Sequence, residues 1–316
     1  WSEPVYLNSS GFDPSLFHEE DGSKWLVNMR WDYRVGHNHF SGILLQEYKP
    51  KEERLVGPIT MIFGGTAIGF TEAPHLYKRK GWYYLMTAEG GTSYGHAVTL
   101  ARSRSITGPY ELHPQTPLLT SVRDRSAFDS AVASGNDIRA HLHEGLQKAG
   151  HGSMAELSEE EWVLAHLCGR PAAASLRCPL GRETALQRLA WQADEWPWPA
   201  SAAPEREVRF YSLEASDEAV EEEFPREELW VEEFEGESWA MELQTLRLPA
   251  DDRFSLTERP GWLTLRGAES PTSRFRQSLL ARRVEAFRWR AETLLEFDPE
   301  DFQQLAGLLV RYDEQN

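Results

Sequence analysis

The sequence of 316 residues predicts an all-β protein, with a β-propeller followed by a β-sandwich. At three points a polar turn is followed by a short strand that an aromatic residue leads, and a second short strand comes soon after each of them. Repeated short antiparallel strands separated by turn signals are typical of all-β repeat architectures. A propeller protects its strand edges by radial repetition. A sandwich fits the local pattern too, but the spacing between the copies is larger than a hairpin and favours blades.

The aromatic-led strands are the clearest elements of the first part of the chain. Charged or glycine-containing turns precede them, for example Asp21–Lys24 and Arg79–Gly81. We expect the leading strands at Trp25–Met29, Trp82–Leu85 and Trp162–Leu167, and their followers at Gly42–Tyr48, Ala97–Ala101 and Ala185–Leu189.

Residues 121–145 interrupt this repeat. The stretch is polar and irregular, and its only helical signal is weak and lies near Asp137–Leu146. Long segments without strand character inside a repeat are usually surface insertions. We therefore expect 121–145 to be an exposed insertion.

A linker is expected between two β domains. Prolines at positions 197, 199 and 204 precede acidic runs such as Glu221–Glu223, and a charge run of this kind is usually a solvated segment. We place the propeller at 1–200, the acidic linker at 201–237 and the sandwich at 238–316. Strands of the second domain are expected at Leu243–Leu248, Trp262–Arg266, Thr293–Phe297 and Ala306–Tyr312.

The composition argues against charged macromolecular partners. Lys and Arg total 33 and Asp and Glu total 50, so the formal net charge is −17. Such a charge disfavours nucleic acid and anionic membrane, and no apolar run reaches transmembrane length. The twelve Trp offer flat faces on which sugars stack, although most of them also suit a β-rich core.

The two cysteines, Cys168 and Cys178, are too few for a disulfide framework; they could form a single bridge, but the sequence does not suggest one. The first residues do not read as a signal peptide, and the chain does not begin with methionine. We therefore expect a cytoplasmic protein, and a chain that is a fragment or a processed product.

Glu72 is the first candidate for chemistry. It follows Gly69, Phe70 and Thr71, with no other negative charge within several positions. A glutamate in an apolar, aromatic setting is partly desolvated, which raises its pKa. A raised pKa is what a general acid needs near neutral pH. The same residues also fit an ordinary surface carboxylate at a strand end.

Three more residues could join Glu72, and each has a plainer interpretation. Asp13 lies between aromatic residues and precedes a proline, and Asp-Pro often only starts a turn. His151 has a glycine on both sides, as a ligand-facing loop or any loop histidine can have. Arg182 could donate paired hydrogen bonds from its guanidinium to sugar hydroxyls, or form an ion pair with Glu183. Two isolated carboxylates on neighbouring blades suit glycoside hydrolysis.

Other chemistries find little support in the sequence. No Cys and His spacing matches a zinc site. There is no G-x-S-x-G elbow and no P-loop, and Gly90-Gly91 after Glu89 is a turn signal rather than a dinucleotide fingerprint.

The chain resembles the β-xylosidases and α-L-arabinofuranosidases of glycoside hydrolase family 43. The resemblance covers nearly the whole chain except 121–145, and the order of its motifs makes it specific. The segments that carry it are G-F-D-P-S-L-F-H (11–18), W-L-V-N-M-R-W-D (25–32), G-I-L-L-Q-E-Y (42–48), F-T-E-A-P-H-L-Y (70–77), Y-Y-L-M-T-A-E-G-G-T (83–92), H-A-V-T-L-A-R-S (96–103), L-Q-K-A-G-H (146–151) and C-P-L-G-R-E-T-A (178–185).

The resemblance implies a five-bladed β-propeller and a concanavalin-like β-sandwich, and an enzyme that inverts the anomeric centre. Carried over by motif, Glu72 is the general acid and Asp13 tunes its pKa and orients it. His151 and Arg182 fall on positions that line the terminal-sugar pocket, and Phe12 and Trp31 are expected as its walls. The substrate would be a xylo-oligosaccharide or arabino-oligosaccharide, and the residues do not choose between xylose and arabinofuranose.

The chain also departs from the family pattern. The family's base aspartate lies in an Asn-Pro-Asp-Pro-Ser motif, which no segment of this chain matches in full, so we expect about two N-terminal blades and the base to be absent and the activity to be impaired. The sandwich is expected to be cut short as well. No acidic cluster supports calcium, so we expect no cofactor and no metal. A homo-oligomer fits the family, and a non-enzymatic sugar-binding propeller is the alternative function.

Overall fold

A computed structural model describes residues 2–172, 175–210 and 229–315. The chain divides into two compact units, Trp1–Ala219 and Val220–Asn316. Much of the expected linker, residues 211–228, lies outside the described residues.

The first unit is built from antiparallel sheets in which consecutive strands are neighbours. Three sheets of four or five strands occur in its described part, in the orders β1-β2-β3-β4, β5-β6-β7-β8 with β9 beside β7, and β10-β11-β12-β13. The strands are β1 Gly11–His18, β2 Lys24–Trp31, β3 Phe40–Lys49, β4 Arg54–Phe63, β5 Glu72–Arg79, β6 Trp82–Glu89, β7 Ala97–Ser103, β8 Glu111–Leu112, β9 Leu119–Thr120, β10 Gln147–Glu156, β11 Glu161–Gly169, β12 Glu183–Trp191 and β13 Pro197–Pro199.

The expected strands of this unit are confirmed. All six lie within β2, β3, β6, β7, β11 and β12, and each leading strand pairs antiparallel with its follower. The all-β class is confirmed with them. The arrangement as five blades stays a prediction.

The core lies between successive sheets, because the side chains of β6 alternate between two faces. Tyr84 and Met86 pack into one apolar cluster together with Leu164 of the third sheet. Leu85 points the other way, into a second cluster with Met29 of the first sheet. The middle sheet is thus buried on both faces, which explains the apolar run of β6.

The interruption at 121–145 is folded rather than fully exposed. The helix α1 spans Arg125–Ala133, and the Asp124 side chain caps it by accepting a 3.0 Å hydrogen bond from the amide of Ala127. Only a 3-10 turn at Arg139–His141 lies within 137–146, so the expected position of the helix was wrong. A small core consists of Val122, Phe128 and Leu142, with Tyr94, Ile138 and Leu176 packed against it.

In the described ranges no helix is long and apolar enough to cross a membrane.

Two of the prolines that we expected to lead into the linker lie within the third sheet. Pro197 and Pro199 form β13, which pairs with β12 as the last strand of its sheet. An edge strand tolerates proline because one side of the strand needs no ladder hydrogen bond.

The second unit has short strands. They are β14 Leu243–Thr245, β15 Phe254–Ser255, β16 Thr264–Leu265 and β17 Leu280–Arg282. Of these, β14 pairs with β17 and β15 pairs with β16, both antiparallel. The expected strands at 293–297 and 306–312 were wrong. Their apolar side chains, such as Leu294 at 78% and Leu308 at 63%, are exposed, and no described strand pairs with them.

Candidate active site

In the described part of unit 1, the first strand of each sheet has a ladder irregularity towards its N-terminal end. The ladder shifts between Phe12 and Ser15 in β1, between Glu72 and His75 in β5, and between Gly150 and Gly152 in β10. A residue with positive φ lies within each shift, at 51° for Asp13, 51° for Ala73 and 48° for His151. Bulges of this kind re-aim side chains and are common beside active sites.

The bulges of β1 and β5 are joined by hydrogen bonds. The amide of Ala73 donates to Oδ2 of Asp13 at 3.1 Å, and the Ser15 hydroxyl donates to the carbonyl of Pro74 at 2.7 Å. These bonds hold the Asp13 carboxylate beside the backbone that follows Glu72. The structure therefore brings together the two carboxylates that the sequence singles out.

Glu72 is shielded from solvent, with 7% of the residue exposed. Burial and the negative charge of Asp13 raise its pKa from the ordinary 4.5 to about 7, and the positive charge of Arg182 works in the opposite direction. Burial dominates because it penalises the ionised carboxylate. At neutral pH the group can therefore both hold and release a proton.

His151 and Arg182 act on the same region. Burial and the charge of His151 lower the pKa of His75 on β5, while Asp13 raises it. Burial lowers the pKa of the fully buried His96 to about 4, and both His151 and Arg182 contribute in the same direction. Arg182 is exposed and precedes β12. These couplings place both residues within electrostatic reach of the Glu72 region.

Phe12 and Trp31 form part of an aromatic surface. Each is 37% exposed, and their ring centroids lie 5.7 Å apart. Phe40 meets Trp31 edge to face at 5.3 Å, and His39 stacks on Trp31 at 4.8 Å. Phe70, two residues before Glu72, meets Phe40 at 5.2 Å. Aromatic residues with one free face suit the apolar faces of sugar rings.

Sequence reasoning missed several of these groups. Phe40 could have been found, because it opens the strand that pairs with Trp31. Phe70 enters the sequence argument only as an aromatic neighbour of Glu72. Glu89 is fully buried, although it directly precedes the turn signal Gly90-Gly91 and no local signal marks its burial.

Metal ligands do not stand out near these residues. Across 2–172, 175–210 and 229–315, no group of three or more His, Cys, Asp or Glu could hold a metal ion. His96 turns Nδ1 toward the Lys148 carbonyl at 3.1 Å, and its Nε2 has no hydrogen-bond partner among the described residues.

Two family models match the chain. Residues 1–197 match glycosyl hydrolases family 43, and residues 231–316 match the β-xylosidase C-terminal concanavalin A-like domain. A β-xylosidase of Bacillus subtilis is 46% identical over all of the chain and 57% of its own length. Xylosidase/arabinosidase 43B of Humicola insolens is 46% identical over 99% of the chain and 54% of its own length.

Solved structures resemble the chain as well. The crystal structure of a xylan β-1,4-xylosidase from Bacillus halodurans has a TM-score of 0.75 and 50% identity, and the match covers 91% of the chain and 51% of that structure. The chain spans about half the length of the curated relatives that it matches.

Proposed function

Because the chain belongs to glycosyl hydrolase family 43, we propose that it acts as a glycosidase on the terminal xylose of xylo-oligosaccharides, or on terminal arabinofuranose of arabino-oligosaccharides. The names of its relatives, β-xylosidase and xylosidase/arabinosidase, support both sugars. The propeller of this family would have five blades, of which the three sheets of unit 1 would be part.

Glu72 would be the general acid of the reaction. Its carboxyl protonates the glycosidic oxygen as the bond to the anomeric carbon breaks, and a raised pKa keeps that proton available near pH 7. Asp13 raises the pKa and holds the following backbone, so it tunes and orients the acid. Phe12 and Trp31 would face the sugar ring, and His151 and Arg182 would bind its hydroxyls.

Attack of water on the anomeric carbon would be the slow step of the reaction in this chain. An inverting reaction needs a second carboxylate that activates water from the opposite face of the sugar. No segment of the sequence matches the family's base motif in full. Loss of one acid–base component typically costs ~100- to 10,000-fold, so we expect hydrolysis by this chain to be impaired by that factor.

The buried Glu72 with its pKa of about 7 carries this proposal. Azide tests it, because azide attacks the anomeric carbon without a base. The C–O bond breaks, the proton of Glu72 goes to the leaving oxygen, and an inverted glycosyl azide forms. With xylobiose, whose sugar leaving group needs protonation, Glu72→Gln should lose at least ~100-fold in rate.

The control for this test is Glu156→Gln, at the exposed end of β10. It should keep the wild-type rate. A Glu72→Gln protein that still forms xylosyl azide from xylobiose at the wild-type rate would remove Glu72 from the role. A wild-type chain that forms no azide product from any xyloside or arabinofuranoside would refute the glycosidase proposal.

A non-enzymatic sugar-binding module is the second candidate, favoured by the partly exposed aromatic surface around Phe12 and Trp31. It predicts that xylobiose binds equally well to wild type and to Glu72→Gln, and that azide yields no product. Xylobiose binding in a calorimetric titration, together with the absence of any azide product from the wild-type chain, distinguishes this function from the first.

Cytoplasmic location, the absence of a cofactor and homo-oligomer formation are further proposals. The formal charge of −17 supports partners that are neither nucleic acid nor anionic membrane.

A further inference from the structure

Glu89 is a fully buried carboxylate that the proposed reaction does not use. It ends β6, directly after Ala88, which pairs with Glu72 across the sheet. None of the residue is exposed, and within the described ranges its hydrogen-bond partners are Thr66 and Thr71, neither of which is a cation. A buried carboxylate without a cation needs hydrogen-bond donors around both oxygens.

Those donors come from one loop, residues 64–71, about twenty positions earlier in the chain. The amide of Thr66 donates to Oε1 of Glu89 at 2.8 Å, and the Thr71 hydroxyl donates to the same oxygen at 2.9 Å. The hydroxyl of Thr66 donates to Oε2. Three donors of this loop therefore converge on the two oxygens of one carboxyl group.

The loop has little conformational freedom around this carboxylate. The amide of Ile68 donates to the Thr66 hydroxyl at 3.1 Å, and the amide of Gly90 donates to the carbonyl of Gly69 at 2.8 Å. Gly65 has a φ of +86°, and a Cβ there would lie 2.0 Å from Oγ1 of Thr71. Only glycine fits that position, so the backbone closes tightly on the carboxylate.

The same loop delivers two groups of the candidate site. Phe70 has a φ of 55°, and its ring makes the edge-to-face contact with Phe40. Thr71 is buried on Glu89, and the next residue is Glu72. A shift of the loop would therefore move the aromatic surface and the acid together.

We propose that Glu89 is the positioning residue of this site: its carboxylate folds loop 64–71 around itself and so sets where Phe70 and the Glu72 carboxyl stand. This inference rests on the proposed role of Glu72 as the acid. Glu89 does not touch the substrate. It acts through Thr66 and Thr71.

Three substitutions test the proposal. Thr71→Val removes one donor and keeps the shape and the charge of Glu89, whereas Thr71→Ser keeps the donor. Glu89→Gln replaces one acceptor by a donor group that faces the threonine donors. The matched control is Glu161→Gln, because Glu161 is also a buried carboxylate. It is the first residue of β11, and the last residue of that strand, Gly169, pairs with the start of β10, where the His151 bulge lies. Glu161 is therefore at the end of the strand that is remote from the bulge.

Two measurements separate positioning from mere folding support. Carbon NMR of the Glu72 carboxyl reports its pKa directly, and the azide reaction compares xylobiose with p-nitrophenyl β-xyloside, whose leaving group needs little protonation. For Thr71→Val and Glu89→Gln we expect the pKa of Glu72 to fall towards its ordinary value, because a looser loop admits water. The rate on xylobiose should fall about tenfold further than the rate on the aryl xyloside.

Thr71→Ser should restore both readouts, and Glu161→Gln should change neither. The proposal is overturned if Thr71→Val leaves the pKa of Glu72 unchanged, or if both substrates lose the same factor. If the wild-type chain transfers no sugar at all, the glycosidase proposal fails, but the NMR titration still decides whether Glu89 positions Glu72.

Discussion

Replacing Glu72 by glutamine should make the folded protein more stable at high pH and leave its stability at low pH unchanged. The folded-state pKa of about 7 lies above the ordinary 4.5, so between these values the folded state holds more protons than the unfolded state. Stability therefore falls as the pH rises through this window. Above pH 7 the whole cost of the buried charge is present, and glutamine, which cannot ionise, avoids it.

The size of the effect follows from the two pKa values. At about 1.4 kcal/mol for each tenfold change, a rise from 4.5 to about 7 corresponds to about 3 kcal/mol. We therefore expect Glu72→Gln to exceed wild type by up to ~3 kcal/mol at pH 8 and to match it near pH 4.

Urea unfolding followed by tryptophan fluorescence, repeated at intervals from pH 4 to pH 8, measures the difference. Glu156→Gln serves as the control, since it removes an exposed carboxylate from the end of β10 and should show no such trend. A difference between Glu72→Gln and wild type that does not change with pH would refute the raised pKa of Glu72.

The remaining predictions concern the reaction with azide. The rate of this reaction on xylobiose should decline above pH 7, because Glu72 loses its proton there. Asp13→Asn should move the decline to lower pH, because the negative charge of Asp13 raises the pKa of Glu72. An unchanged profile in Asp13→Asn would contradict the tuning role. Phe12→Ala and Trp31→Ala should raise KM about tenfold while kcat changes little, because each removes a contact of about 1.4 kcal/mol with the sugar ring; an equal KM in both variants and wild type would exclude them as walls. Treatment with EDTA should leave the rate unchanged, and a loss that added calcium restores would show that a metal takes part.

The strands of unit 1 could be predicted because the signal is local. In β6, aromatic and apolar residues follow a glycine turn, and alternate positions point to two cores. The helix α1 could not be found in this way. Its residues are mostly small or polar, and the burial of Phe128 depends on partners such as Tyr94, which lies more than thirty positions away.

In the candidate site, too, some residues could be predicted from the sequence and others could not. Glu72 and Asp13 could be selected because each stands alone among aromatic neighbours, and the bonds between their bulges bring them together. Glu89 could not be selected, because a glutamate before two glycines has the pattern of an exposed turn. Its burial comes from loop 64–71, which approaches from another part of the chain.

The acid role of Glu72 depends on its being protonated near neutral pH. Carbon NMR of the wild-type chain, with Glu72→Gln used to assign the carboxyl resonance, measures that property without any substrate. We expect a midpoint near pH 7 for this one carboxyl. A midpoint near 4.5 would contradict it, since Glu72 would then be ionised whenever a sugar had to leave.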